Sequence, residues 1–147
     1  MKQLLQQSYI SMIQNSVWTK MFRNNFFESD GENRDVLKGG ADSCAYFVSS
    51  VLKIFGLIGN IHVTVAGTIK DMLKSWREEY KWKTIPIWAI LVWEEKNGHK
   101  HVWFYIWGGK AISNSSSKKF VVKHSFDYNG KRSIEKTYVN INIWVNK

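Results

Sequence analysis

Asn97-Gly98-His99-Lys100-His101-Val102-Trp103-Phe104-Tyr105-Ile106-Trp107-Gly108-Gly109 decides the fold. Asn97-Gly98 is a hairpin turn signal, and Gly108-Gly109 makes the next turn. Between them Val102 to Ile106 is rich in β-branched and aromatic residues, as a strand is. Ile85 to Trp93 upstream is a second apolar run, and Lys110 to Ser113 follows the second turn. Phe120 to Phe126 and Tyr138 to Trp144 alternate as further strands, with Asn129-Gly130 turning between them. The second half of the chain therefore reads as an antiparallel sheet.

The first half reads as helices. Apolar residues at Leu4, Leu5, Ile10, Met12, Ile13 and Val17 predict a helix from Gln3 to about Arg23. Asn24 to Gly40 is polar and dense in turn formers, which predicts a loop. Ser43 to about Phe55 reads as a second helix with Asp42 as N-cap and Gly56 as its stop. A third is expected from Val65 to about Glu79, with Thr64 or Thr68 near its start. Helices followed by an antiparallel sheet mean an α+β fold, not a βαβ repeat.

The 147 residues fit one domain, and a hydrophobic fraction of 44% is ample for its core. A lead-in of 1–38 and a core of 39–147 are the expected divisions. The formal net charge of +9 attracts anions, but the basic residues are scattered. Lys118-Lys119 and Lys131-Arg132 are short clusters without a nucleic-acid motif. No run reaches transmembrane length, and no export signal opens the chain, so residence in the cytoplasm is expected, unless release by lysis or a dedicated secretion route delivers the protein to the wall.

One cysteine, Cys44, excludes an internal disulfide and a Cys-rich zinc site. Its position at a helix start matters chemically. Unpaired N–H groups and partial positive charge there favour a thiolate, and they offer hydrogen bonds to an oxyanion. His101 at a strand start supplies an imidazole to take the thiol proton and return it to a leaving group. The bland alternatives are a small buried Cys44 and a structural His101. His99 and His101, with His124, form the rival constellation of a three-histidine metal site. His62 reads as a loop residue.

The segment Asp42-Ser43-Cys44-Ala45-Tyr46-Phe47-Val48 resembles the nucleophile segment of the NlpC-type and CHAP-type cysteine hydrolases, which share a compact papain-like fold. Their second segment, His-Val-Gly-x-Tyr-Ile-Gly before a turn and a further strand, resembles His101 to Asn114 here. The resemblance covers about Gly39 to Ser115. It implies a metal-free and cofactor-free cysteine peptidase or amidase. The implied substrate is peptidoglycan peptide, the implied partners include no nucleic acid or membrane, and the chain is expected to be a monomer. It implies Cys44 as nucleophile, His101 as base and then acid, and Asn114 as the residue that orients His101. Ungapped counting lands on Ser113 instead, and His124 is a further candidate. Asp42 and Ser43 are expected at the substrate and oxyanion site, with Ser113. Two rival functions use the same segment: an acyltransferase or esterase with the same dyad, and an inactive wall- or anion-binding module.

This chain departs from the pattern in three ways. Asp stands two residues before Cys44 rather than one, and Ala45 replaces the serine that usually follows. Trp88, Trp103 and Trp107 stand where the family has glycine, with Trp18 and Trp76 as further cases. Two readings account for them: UGA codons read as glycine in the source bacterium, or true tryptophans, which favour strands. The codons decide between them.

Overall fold

The computed structural model describes residues 4–79 and 85–144, except the side chains of 141 and 144. It is α+β. Helix α1 (Leu5–Asn15) precedes a hairpin of β1 (Phe26–Ser29) and β2 (Glu32–Asp35), and then come α2 (Cys44–Ile54) and α3 (Val65–Met72). Six strands follow: β3 (Arg77–Glu79), β4 (Ile90–Lys96), β5 (His99–Ile106), β6 (Lys110–Ser115), β7 (Phe120–Ser125) and β8 (Ile134–Val139). A short helix α4 (Ile141–Trp144) comes last. The six strands form one antiparallel sheet in the order β3-β8-β4-β5-β6-β7.

One face of the sheet carries the main core. Strand side chains alternate between faces, so Val102, Phe104 and Ile106 of β5 and Ile112 of β6 face α2. Phe47, Val48, Val51 and Leu52 of α2 fill that side and are fully buried. Phe47 meets Phe104 edge-on at 5.3 Å, and Tyr9 of α1 does the same at 5.8 Å, the arrangement aromatic quadrupoles favour. The opposite face holds a smaller cluster of Leu91, Trp93, Trp103 and Ala111. The segment after β7 folds over it, bringing Phe126, Tyr128 and Ile134 into contact.

Several expected elements differ. The expected loop at 24–40 contains the β1–β2 hairpin, turned at Asp30-Gly31 with both residues at positive φ, as a two-residue turn requires. Helix α1 stops at Asn15, and Gln3 lies outside the described residues. Beyond the helix the chain docks onto β7: Trp18 N–H donates to the Val121 carbonyl at 2.9 Å, and Val121 N–H to the Thr19 carbonyl at 3.3 Å. Helix α3 ends at Met72, and Arg77–Glu79 pairs with β8 instead of extending the helix. Strand β4 starts at Ile90 rather than Ile85, and β8 ends at Val139 with α4 beyond it. His62 lies in the loop before α3, as expected, and is anchored there. Asp71 binds its Nε2 at 2.9 Å, Asn60 N–H at 2.8 Å and Lys74 Nζ at 3.1 Å, which together hold that carboxyl well below its usual range.

Trp18, Trp76, Trp88, Trp103 and Trp107, singled out in the sequence, differ from one another. Trp18 has φ 74, the left-handed region that side chains resist, and it is 71% exposed. Trp88, Trp103, Trp76 and Trp107 have no positive φ. Trp103 is fully buried, and Trp76 is buried with its Nε1–H donated to the Leu57 carbonyl at 2.8 Å.

Candidate functional site around Cys44

Cys44 is the first residue of α2 and is partly buried. The first helical bond runs from Phe47 N–H to the Ser43 carbonyl, so the N–H groups of Cys44, Ala45 and Tyr46 have no acceptor within the helix. Burial pushes the Cys44 thiol above its ordinary pKa. Backbone N–H groups of Val102, Ala45 and Cys44 at the sulfur act against that rise, and the nearby Asp42 carboxylate reinforces it. The resting group is therefore a thiol, bathed in N–H donors that favour its anion.

The turn leading into α2 is tied down from several directions. Asp35 accepts from Asn25 N–H, Gly39 N–H, the Asn24 side chain and Leu37 N–H. Although burial raises its pKa, these donors hold it at about 2. Arg23 Nε–H donates to the Gly39 carbonyl at 2.8 Å, and Asn114 Nδ2–H to the Gly40 carbonyl at 2.7 Å. Gly40 has φ +100, and a Cβ there would lie 2.7 Å from the Lys119 carbonyl oxygen. Only glycine fits between the turn and the β6–β7 connection.

Two clefts, each of about 520 Å³, meet over Cys44 and share Asp42, Cys44, His99 and Lys100 in their walls. One continues along Lys38, Lys96, His101 and Arg132. The other runs past Val36, Val63, Thr64 and Val65.

His101 lines the first cleft with Cys44, but it makes no hydrogen bond to the sulfur. Val102 faces α2, so its neighbour His101 faces the opposite side of β5. There the ring stacks on Trp93 at 5.0 Å and 17°. Its Nε2 is buried without a hydrogen-bond partner. Burial, then the charges of His124 and Arg132, lower its pKa to about 3. His101 is thus neutral at pH 7. A thiolate–imidazolium pair is disfavoured at both ends in this geometry.

The expected supporting residues are placed elsewhere. Asn114 does not orient His101, because it lies on the α2 face and holds Gly40 instead. Ser113, on the other face, bonds His124 Nε2 at 2.8 Å. The His124 Nδ1 contacts the Ser125 carbonyl at 2.7 Å. That carbonyl only accepts, so Nδ1 carries the proton and Ser113 donates to Nε2. Both nitrogens are occupied, and neither reaches His101. Ser43 is fully buried with an unpartnered hydroxyl, so it is not in the cleft. Asp42 does not cap α2: its carboxylate pairs with Lys38 Nζ at 2.7 Å, and Ser43 occupies the N-cap. A carboxylate also repels an oxyanion, so at this turn the groups suited to donate to one are backbone N–H groups. Among the described residues no three His, Cys, Asp or Glu side chains group to hold a metal ion. His99 opens β5 and borders both clefts.

Sequence reasoning missed Lys96, Lys100 and Arg132 as cleft residues, although Lys131-Arg132 stood out as a basic pair. It also missed Trp93 as the seat of the His101 ring. No family model, curated protein or solved structure matches the chain. Among the described residues no helix is long and apolar enough to cross a membrane.

Proposed function

We propose that the chain is a cysteine hydrolase that cleaves amide bonds, with peptidoglycan peptide as its substrate. The observation that carries this reading is the position of Cys44: first residue of a buried helix, at the meeting point of two clefts, with backbone N–H groups around its sulfur. A substrate lying through both clefts presents its carbonyl carbon to the sulfur. Attack forms a tetrahedral oxyanion within reach of the free N–H groups of the first helical turn. Collapse expels the amine with a proton, and water then cleaves the thioester.

The proton carrier is His101, the imidazole that lines the cleft beside Cys44. Because its ring rests on Trp93, catalysis requires the ring to leave that stack when substrate fills the cleft. His99 is the second imidazole available on the same wall. An inactive anion-binding module is the alternative, favoured by the raised thiol and the absence of an imidazole bonded to it.

Peptide release from purified wall separates these readings. A hydrolase releases peptide, and the release is lost in Cys44→Ala and falls in His101→Ala or His99→Ala, whichever supplies the base. Binding to the wall with no peptide release by the native chain would sink the hydrolase.

A further inference from the structure

The two clefts that meet at Cys44 differ in charge. The wall of one holds Lys38, Lys96, Lys100 and Arg132 against the single carboxylate of Asp42. The other holds Val36, Ala45, Val63, Val65 and Ala66, and its charged residues are Asp42, Glu95 and Lys100, two acids to one base. Not all four cations are available. Lys38 is paired with Asp42 at 2.7 Å, and Lys100 with Glu135 at 3.1 Å. Among the described residues Lys96 and Arg132 have no carboxylate partner.

Arg132 is also held in place. Its Nη2–H donates to the Glu94 carbonyl at 2.9 Å, and its guanidinium carbon lies 4.8 Å from the centre of the Trp93 ring. Its backbone N–H donates to the Asp127 carbonyl at 3.0 Å. Its Nε is buried and has no partner. A guanidinium immobilised by stacking, with donors left over, is suited to bind a carboxylate because little freedom remains to be lost. Burying part of such a charge without a counter-ion is unfavourable, and an anionic ligand removes that penalty.

We propose that the Lys96–Arg132 cleft is the subsite for a carboxylate on one side of the scissile amide, while the Val36–Val65 cleft, with its apolar wall and excess of acid, takes an apolar segment without a carboxylate on the other side. This rests on the hydrolase reading for the amide, but the anion subsite itself does not need Cys44 to react. The substrate class is then an acidic peptide with a free side-chain or terminal carboxylate close to the cleaved bond. The charge asymmetry also sets the direction in which the peptide lies.

Two alkylating probes test this without a known substrate. In each, the Cys44 thiolate displaces iodide, but iodoacetate carries a negative charge and iodoacetamide does not. The iodoacetate-to-iodoacetamide rate ratio is expected to exceed that of a neutral free thiol by ~5-fold, the scale of one nearby unit charge. Arg132→Gln and Lys96→Gln should each lower the ratio, as should added salt. A ratio equal to that of the free thiol, or unmoved by both variants, overturns the subsite while leaving the nucleophile intact. Cys44 that resists both reagents overturns the nucleophile instead. The subsite is then read from titration of the native protein with N-acetylglutamate and with the uncharged N-acetylglutamine amide. Tighter binding of the glutamate that weakens in Lys96→Gln, an exposed position, supports it, and equal binding of the two compounds overturns it.

Discussion

Asn114 on β6 reaches across to Gly40, 74 positions earlier in the chain, and its Nδ2–H meets the Gly40 carbonyl oxygen at 2.7 Å. This bond joins the sheet to the turn that delivers Cys44. Asn114 is 2% exposed, so water cannot take its place. Asn114→Ala is expected to lower stability by ~1–3 kcal/mol, the range for leaving a buried partner unsatisfied, as read by urea unfolding. Loss of the tie should also slow Cys44 alkylation without changing the shape of its pH profile. An Asn114→Ala protein as stable as the native one contradicts this role.

Stability should fall as the solution is acidified from about pH 6.5. The folded His101 imidazole titrates at about 3, pressed down by burial, His124 and Arg132, whereas an unfolded one titrates near 6.5. Between these values the unfolded chain binds a proton that the folded chain refuses. Full stability is therefore present above 6.5 and declines toward pH 3. His124 is also lowered, chiefly by burial, and acts in the same direction. Each group contributes at most ~1.4 kcal/mol per pH unit. His101→Phe keeps a ring on Trp93 and removes the proton, so its unfolding midpoint should depend less on pH between 6.5 and 4.

Asp35 adds a second acid limb at lower pH. Its pKa of about 2 lies below the ordinary 3.8, so its contribution is whole above about pH 4 and is lost as pH falls toward 2. Asp35→Asn should remove this limb at a cost of ~1–2 kcal/mol at neutral pH, in line with weakened bonds to a charged acceptor. Hydrogen exchange at Leu37 and Gly39, whose N–H groups Asp35 binds, is the local check. Unchanged exchange there would mean that the carboxylate does not hold the turn.

Tryptophan-to-glycine substitutions should separate two environments. Trp18 occupies left-handed backbone, a strain of ~1–2 kcal/mol for an L-residue. Against this stands its ring contact with Phe120 at 5.6 Å. Trp18→Gly is expected to leave stability unchanged or raise it. Trp103→Gly empties a fully buried site and should cost ~3–5 kcal/mol or more. Thermal melts of both variants make the comparison, and a stabilising Trp103→Gly would show that the indole is not wanted there.

What was legible in the sequence was local. Asn97-Gly98 and Asn129-Gly130 turn with positive φ, as their residue types demand, and Gly56 ends α2 in the same way. Thr64 caps α3 through its hydroxyl and Gly67 N–H. The hairpin at 26–35 escaped because every residue of β1 is exposed, which leaves no alternation to read. Helix α1 ends early for a tertiary reason, the docking of Trp18 and Thr19 on Val121. The site divides in the same way. Cys44 at a helix start was readable from its neighbours. The alternation of His101 and Val102 was readable too, but not which of the two faces would receive α2. That choice belongs to the packing of Val102, Phe104 and Ile106 on Phe47 and Val51, and it decides where the imidazole points.

The docking of residues 18–19 on Val121, together with the bond from Gly40 to Asn114, has a consequence for synthesis. The first third of the chain leaves the ribosome long before the strands that receive it have been made. Until then α2 carries Phe47, Val48, Val51 and Leu52 with nothing to cover them, so the nascent protein presents a sticky segment that suits a chaperone. Productive folding waits until β5 to β7 have left the ribosome.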